Sequence, residues 1–199
     1  MKKNRLIIIG ASGHGKVVTN IAKLNGYTDI IFLDDNEILE EFEGFKVVGK
    51  SYEAPEGDIF VAVGNAGIRK QLMEKYANRY HPTLIHPNAV IAEGVKIGMG
   101  TVIMAGVVIN PGTTIGSGCI INTCSSVDHD CTIGDFVHIA VGSHLSGTVN
   151  IGEGTWIGTG ATVSNNVDIC CGCMVGAGAV VVKDINEMGT YVGVPARKV

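Results

Sequence analysis

A histidine followed directly by an aspartate, His129-Asp130, is the pair of side chains in this sequence best suited to move a proton. A neutral imidazole is a usable base near pH 7, and a carboxylate beside it fixes the ring tautomer and raises its basicity. A second group lies near the N-terminus, where Gly10-Ala11-Ser12-Gly13-His14-Gly15 follows the apolar run Leu6–Ile9. A turn of glycines between a strand and a helix N-terminus lets backbone N–H groups approach a pyrophosphate. Asp34 and Asp35 end the next apolar run, where they could accept hydrogen bonds from a ribose or base, and Gly64-Asn65 closes a third. The glycine spacing departs from G-x-G-x-x-G, so a tight turn with strand-ending acids stands beside the ligand-binding reading. Cys170-Cys171-Gly172-Cys173 has the look of a metal site but lacks a second Cys/His pair at zinc-finger spacing, and we expect no metal there.

The elements that must position these residues fall into two grammars. Within residues 1–80 the pattern is β-α-β…β-α: strands at Arg5–Ile9, Ile30–Leu33 and Asp58–Val63, with helices from Val17 to Gly26 and from Ile68 to Ala77. This is half of a doubly wound, Rossmann-like α/β sheet, whose ligands bind at the C-terminal ends of the strands. Residues 81–199 obey a period of six. A branched aliphatic residue recurs from Ile85 to Val181 at seventeen successive sixth positions, and a small residue follows four places later. Neither a helix nor an ordinary strand has that period, whereas a parallel β-helix with three six-residue sides per coil does. Residues eighteen apart then stack. By that ruler His129 lies beneath Gly147, whose N–H is a candidate oxyanion donor, and His138 beneath Trp156. Cys119, Cys131 and Cys173 take the small inward slot as compact apolar groups.

Composition narrows the function. Among 199 residues there are 28 glycines, only 17% charged residues and a net charge of −4, with 15 Lys and Arg scattered among 19 acids. No basic patch suggests nucleic acid. Leu6–Ile9 is too short for a signal peptide or a membrane span, so a soluble cytoplasmic protein is expected.

Taken together, the hexad array, the step Val127-Asp128-His129-Asp130, the opening Gly10–Gly15 and the ending Val192-Gly193-Val194-Pro195-Ala196 resemble the nucleotide-sugar acetyltransferases of the left-handed β-helix class. The likeness is to the bacterial UDP-4-amino-sugar N-acetyltransferases of the bacillosamine pathway (the PglD type), with the sialic acid O-acetyltransferases (the NeuD type) as a broader relative. It covers essentially the whole chain and implies a left-handed helix assembled as a homotrimer, with active sites between subunits. It implies acetyl-CoA as co-substrate, no metal, and a UDP-linked amino sugar as acceptor. His129 then matches the general base, Asp130 the acid beside it (a Glu in the near relative, one methylene longer) and Asn122 an active-site amide. His138 matches an acetyl-CoA contact, and Thr159 and Ala177 match backbone positions lining the CoA groove. Ser12, Gly13, His14, Asp34, Asp35 and Gly64 match the UDP-sugar contacts.

His129 and His138 are nine residues apart, half a coil, so a site using both needs two neighbouring subunits. Three other readings stay open. One is O-acetylation of a sialic-acid-like sugar. Another is a γ-type carbonic anhydrase, whose histidine pair is five apart where His138 and His144 are six apart. The third is a nucleotide-sugar-binding protein without catalysis.

Overall fold

The computed structural model describes residues 5–199, so the first four residues of the N-terminal segment lie outside it. Four consecutive buried aliphatic residues make β1 (Leu6–Ile9), which feeds α1 (Gly13–Leu24) and then β2 (Ile30–Leu33). A small hairpin that the apolar pattern does not announce, β3 (Glu41–Phe42) and β4 (Phe45–Lys46), precedes β5 (Asp58–Val61) and α2 (Ala66–Lys75). The three long strands are parallel in the order β2-β1-β5, buried on both faces as such strands must be. Helix α2 starts two residues ahead of its apolar pattern because Asn65 caps it, its side chain accepting the Ile68 N–H at 3.0 Å.

From Leu84 onward the chain winds as a parallel β-helix of two-residue strands. Its first face stacks Leu84–Ile85, Val102–Ile103, Ile120–Ile121, His138–Ile139, Trp156–Ile157 and Met174–Val175. Pairing is at eighteen residues from Leu84 to Val181, as in Ile120↔His138 and His138↔Trp156, and tightens to sixteen in the last coil, where Met174 pairs with Thr190. The aliphatic ladder fills the centre, where Ile103, Ile121, Ile139, Ile157 and Val175 have no exposed surface. Every sixth residue from Gly94 to Gly178 turns a corner at positive φ; ten are glycine and the others are Cys124, Asp130, Phe136, Thr148 and Asn166. Among the described residues no helix is long and apolar enough to cross a membrane.

The small inward slots are more than filler. The Thr101 hydroxyl donates to the Gly116 carbonyl at 2.8 Å and accepts the Cys119 N–H at 2.9 Å; Thr113 and Thr155 do the same for their own next coils. Cys119 and Cys131 also donate, through Sγ, to carbonyls of Gly134 and Ser146. The thiols expected as compact apolar groups therefore act as short polar stitches as well. Burial pushes the Cys119 thiol up to about 12, so it stays protonated.

The two parts share a core. On the outward row of the first face, Leu84, Val102 and Ile120 are buried in one cluster with Leu6, Ile8, Val18 and Ile21. Asn25, at the end of α1, grips the backbone of Ile85 twice, donating to its carbonyl at 2.7 Å and accepting its N–H at 3.1 Å. The strongest tie is Arg69 on α2, 1% exposed. Its guanidinium donates to the carbonyls of Val63 and Gly64 beside the sheet and of Gly118 and Phe136 on two corners of the β-helix, at 2.6–2.9 Å. A planar fork of five donors suits four fixed carbonyls, and lysine has no such geometry. Desolvation lowers the Arg69 pKa to about 10, which leaves it charged at neutral pH.

Removing that fork strands buried acceptors, each costing about 1–3 kcal/mol. Arg69→Ala should therefore lower the unfolding free energy by about 3 kcal/mol or more in urea titrations, and Arg69→Lys should recover less than half of the loss.

Candidate active site

The His129-Asp130 pair sits on a corner of the β-helix, after the strand Ser126–Val127. Asp130 adopts the left-handed conformation there, φ 58°, which Asp tolerates better than most side chains. From that position its Oδ2 lies 2.9 Å from His129 Nδ1, so the shorter acid reaches the ring. Each side chain of the pair is open to water on one side and lies against the backbone of a neighbouring coil on the other. A Cβ built on Gly147 would lie 2.5 Å from His129 Nε2, and a Cβ on Gly112, one coil earlier, would collide with the Asp130 carboxylate. Glycine at both places lets the side chains lie flat against neighbouring backbone. The Asp130 hydrogen bond, and then the charge of Asp128, raise the His129 pKa above the ordinary histidine value. Cys131 turns into the coil, its thiol pushed up by burial, so it is not an activated sulfur beside His129.

His138 is tuned the other way. It stacks on Trp156, ring centroids 4.7 Å apart, and its Nε2 is 3.1 Å from Asn122 Nδ2. The Asn122 carbonyl oxygen already accepts the Thr123 N–H at 2.8 Å, which turns the amide nitrogen toward the ring. His138 Nε2 must then be the acceptor, so the proton resides on Nδ1. That Nδ1 is buried without a protein partner among the described residues, and so is Nε2 of His14. Burial first, then His14 and Arg69, hold His138 down at about 3. Burial and then Arg69 hold His14 at about 4. Both rings are neutral at working pH. Buried polar atoms without partners are few in native proteins, and two at one junction point to a ligand's polar groups.

Between Gly64–Gly67 and the row His138, Trp156, Met174 lies a cleft of about 400 Å³. It joins a second of about 420 Å³ over Lys70, Glu153 and Met188. At the C-terminal edge of the parallel sheet a third, about 460 Å³, is lined by Gly10, Asp34, Asp35, Gln71 and Lys75. Neither helix carries an acid in its first turn, so both N-termini present positive dipole ends, that of α1 with the Asp34 carboxylate on the neighbouring Ala11 N–H.

The glycine turn divides by role. A Cβ at Gly10 would meet the Ala62 carbonyl and one at Gly15 the Gly10 carbonyl, so both glycines serve close packing. Gly13 has open space around it, and Ser12, the N-cap of α1, makes no capping bond with its side chain. Those two, with Gly64, remain free to meet a ligand. Asp34 and Asp35 are already engaged: Asp34 accepts the N–H groups of Ala11 and Asn36, and Asp35 takes the N–H and hydroxyl of Ser51. Each holds a loop in place and has lone pairs left over.

Thr159 and Ala177 stack on one exposed corner, where the Gly178 N–H donates to the Thr159 carbonyl at 2.9 Å. The structure thus forms two groups within one chain: His129, Asp130 and Gly147 on one corner, and His14, Asn122, Gly64 and His138 at the domain junction. Arg69 and Trp156 belong to the second group but were not among the residues read from the sequence as its site. The eighteen-residue ruler places Trp156 over His138 without naming a role for it; a lone Arg inside a mostly polar helix carries no such signal. Cys170 and Cys173 approach to 3.5 Å, and among the described residues no three His, Cys, Asp or Glu side chains are grouped to hold a metal.

Comparisons with known proteins bear on this arrangement. The PglD N-terminal domain family matches residues 5–76, and the bacterial transferase hexapeptide family (six repeats) matches residues 82–111. The acetyltransferase domain of PglB from Neisseria gonorrhoeae FA1090 is 43% identical; the alignment covers 98% of this chain and 99% of that one, with a TM-score of 0.94. The same domain has been solved in complex with acetyl coenzyme A. PerB from Caulobacter crescentus, solved with CoA and GDP-perosamine, is 37% identical over 98% of this chain and 96% of that one, TM-score 0.92. A UDP-N-acetylbacillosamine N-acetyltransferase from Bacillus subtilis (strain 168) is 38% identical over 108 residues, 49% of this chain and 50% of that protein, so the match spans about half of that curated relative. With near-complete coverage by relatives above 30% identity, and an N-terminal α/β unit joined to a hexad β-helix as they require, the chain belongs to the PglD-like family of hexapeptide-repeat sugar N-acetyltransferases.

Proposed function

We propose that this chain transfers the acetyl group of acetyl-CoA directly to the amino group of a nucleotide-linked amino sugar, of the UDP-4-amino-4,6-dideoxy type. One observation carries the reading: two histidines of the β-helix are tuned in opposite directions. His129, paired with Asp130, is made more basic, while His138 is kept neutral with a proton on Nδ1. Divergent tuning of two groups assigns their roles, one as base and one as hydrogen-bond donor.

In this mechanism the glycine turn, Ser12, Gly13 and Gly64 hold the nucleotide diphosphate at the sheet edge, with Asp34 and Asp35 near the ribose or base. His14 faces the sugar. Thr159 and Ala177 line the pantetheine arm through their backbones, and His138 Nδ1–H meets the thioester end, with Asn122 fixing its tautomer. His129 Nε2 takes a proton from the amine as its nitrogen attacks the thioester carbon. The oxyanion that forms is met by the Gly147 N–H, which has no acceptor among the described residues. Attack forms the C–N bond; collapse of the oxyanion re-forms the C=O bond and breaks the C–S bond, and the CoA thiolate leaves, taking a proton from the imidazolium.

Within one chain His138 stands on the first face and His129 beyond the second, so we take a complete site to be shared by adjacent subunits of a homotrimer. The outward row of the second face supports this. It reads Val90, Val108, Ser126, His144, Thr162 and Val180, without Lys, Arg, Asp or Glu, and exposes Val90 and Val108. The third face instead presents Lys96 and Asp168.

CoA release from acetyl-CoA, measured over UDP-, GDP- and dTDP-linked amino sugars and free or CMP-linked nonulosonic acids, tests the reading. Turnover on a nucleotide-linked amine is expected, and activity confined to the nonulosonic acids would replace it with O-acetylation. His129→Ala should cut kcat by about 10²–10⁴-fold. Because only neutral His129 accepts a proton and its pKa is raised, the rising limb of kcat against pH should lie above the ordinary histidine value of about 6.5. Asp130→Asn removes the largest cause of that rise and should move the limb to lower pH. Gly147→Ala should leave the protein folded, by circular dichroism, yet displace the ring and lower kcat by about 10²-fold.

A further inference from the structure

The eighteen-residue stacking that brings Gly147 against His129 also places Asn110 beneath Asp128. Asn110 Nδ2 donates to Asp128 Oδ1 at 2.6 Å, and the same oxygen accepts the backbone N–H of His129 at 2.8 Å. The Asp128 main chain is pinned as well: its N–H donates to the Leu145 carbonyl at 3.0 Å, and its carbonyl accepts the Thr113 hydroxyl at 2.7 Å. A residue held at four points directly before the base leaves the start of the His129 corner little freedom. We propose that Asn110 and Asp128 form a positioning pair for His129, in which Asn110 locks the Asp128 carboxylate and Asp128 both aims the imidazole under Gly147 and supplies a second negative charge beside it. This rests on the reading of His129 as the base.

Two further observations support the pair. The Asn110 hydrogen bond, followed by the His129 N–H, holds the Asp128 carboxyl below its usual range, so it is ionised wherever the enzyme works. The charged groups facing the imidazole are Asp128 and Asp130 on its own coil; the neighbouring coils present Asn110, Gly112, Gly147 and Thr148, which are uncharged, and the Cys131 thiol points inward. The protein also contains its own control. Asn150 donates to Asp168 at the same 2.6 Å and the same spacing, but Ile169 follows instead of a histidine. An Asn–Asp rung alone is thus a device of the coil; before His129 it acquires a second use.

The test uses the full-length protein and three variants, with folding checked by circular dichroism. Asp128→Asn keeps an oxygen for the His129 N–H but removes the charge, Asn110→Ala removes the lock but keeps the charge, and Asn150→Ala is the control. The His129 ring is titrated by NMR with ¹³Cε1-labelled histidine, and kcat and KM are measured against pH. Asp128→Asn should shift the His129 midpoint to lower pH and carry the rising limb of kcat with it. Asn110→Ala should lower kcat about tenfold, with KM for acetyl-CoA within about twofold, the signature of a displaced catalytic group. Asn150→Ala should match the wild type in every respect. A His129 midpoint unchanged in Asp128→Asn, or an Asn110→Ala loss equalled by Asn150→Ala, overturns the proposal. The ring titration needs no substrate. An enzyme inactive toward every nucleotide-linked amine would therefore refute the acetyltransferase reading, while the midpoint shift would still show whether Asp128 acts on the ring.

Discussion

Everything in this molecule depends on stacking at a fixed interval. Parallel strands sit about 4.8 Å apart, and each residue of the β-helix is hydrogen-bonded, through its strand or corner, to the residue about eighteen places on. Chemistry is therefore arranged in columns. His138, Trp156 and Met174 make one wall because they share a column, and His129 lies under Gly147 for the same reason. A loop-built site would have to order each side chain separately, at the cost of its conformational entropy. Here the aliphatic ladder has already met that cost, and the side chains at the corners inherit its rigidity.

The same stacking explains how one histidine-rich surface produces two unlike imidazoles. His129 stands on a corner, open to water, with carboxylates before and after it, and its protonated form is favoured. His138 stands on a flat face beside the junction with the N-terminal domain, where burial and the charge of Arg69 disfavour protonation. Arg69 thus works twice: its fork ties two corners of the β-helix to the sheet edge, and its charge adds to the burial that keeps two neighbouring rings neutral. Removal of the water from a corner, or addition of a carboxylate to the junction, would erase the contrast.

Much of this was legible from the residues alone. A period of six over seventeen repeats admits few architectures, and the α/β pattern before it is short and regular. The His129-Asp130 pair and its glycine lid followed from adjacency and from the ruler of eighteen. Other features needed coordinates. Which glycines of the Gly10–Gly15 turn serve packing depends on where the Ala62 carbonyl lies, and no spacing reveals that. Asp34 and Asp35 looked like free acceptors, yet local backbone and hydroxyl groups claim them first, as they commonly do for Asx side chains in loops. Arg69 was invisible because its partners are main-chain carbonyls, 49 and 67 residues away for the two on the β-helix. The Asn110–Asp128 rung was within reach of the ruler, since the two positions differ by eighteen, but an Asn and an Asp are ordinary surface residues until one sees what comes next.

The corner residues at every sixth position have an implication for how this chain can change in length. An insertion of one residue would put each later aliphatic side chain on the solvent side and each left-handed φ on the wrong residue, so the damage spreads to the end of the spindle. Eighteen residues added or lost together leave every surviving contact in phase. The gene encoding such a domain thus carries a second reading frame, written in coils instead of codons, and its history of growth and trimming should be counted in whole turns.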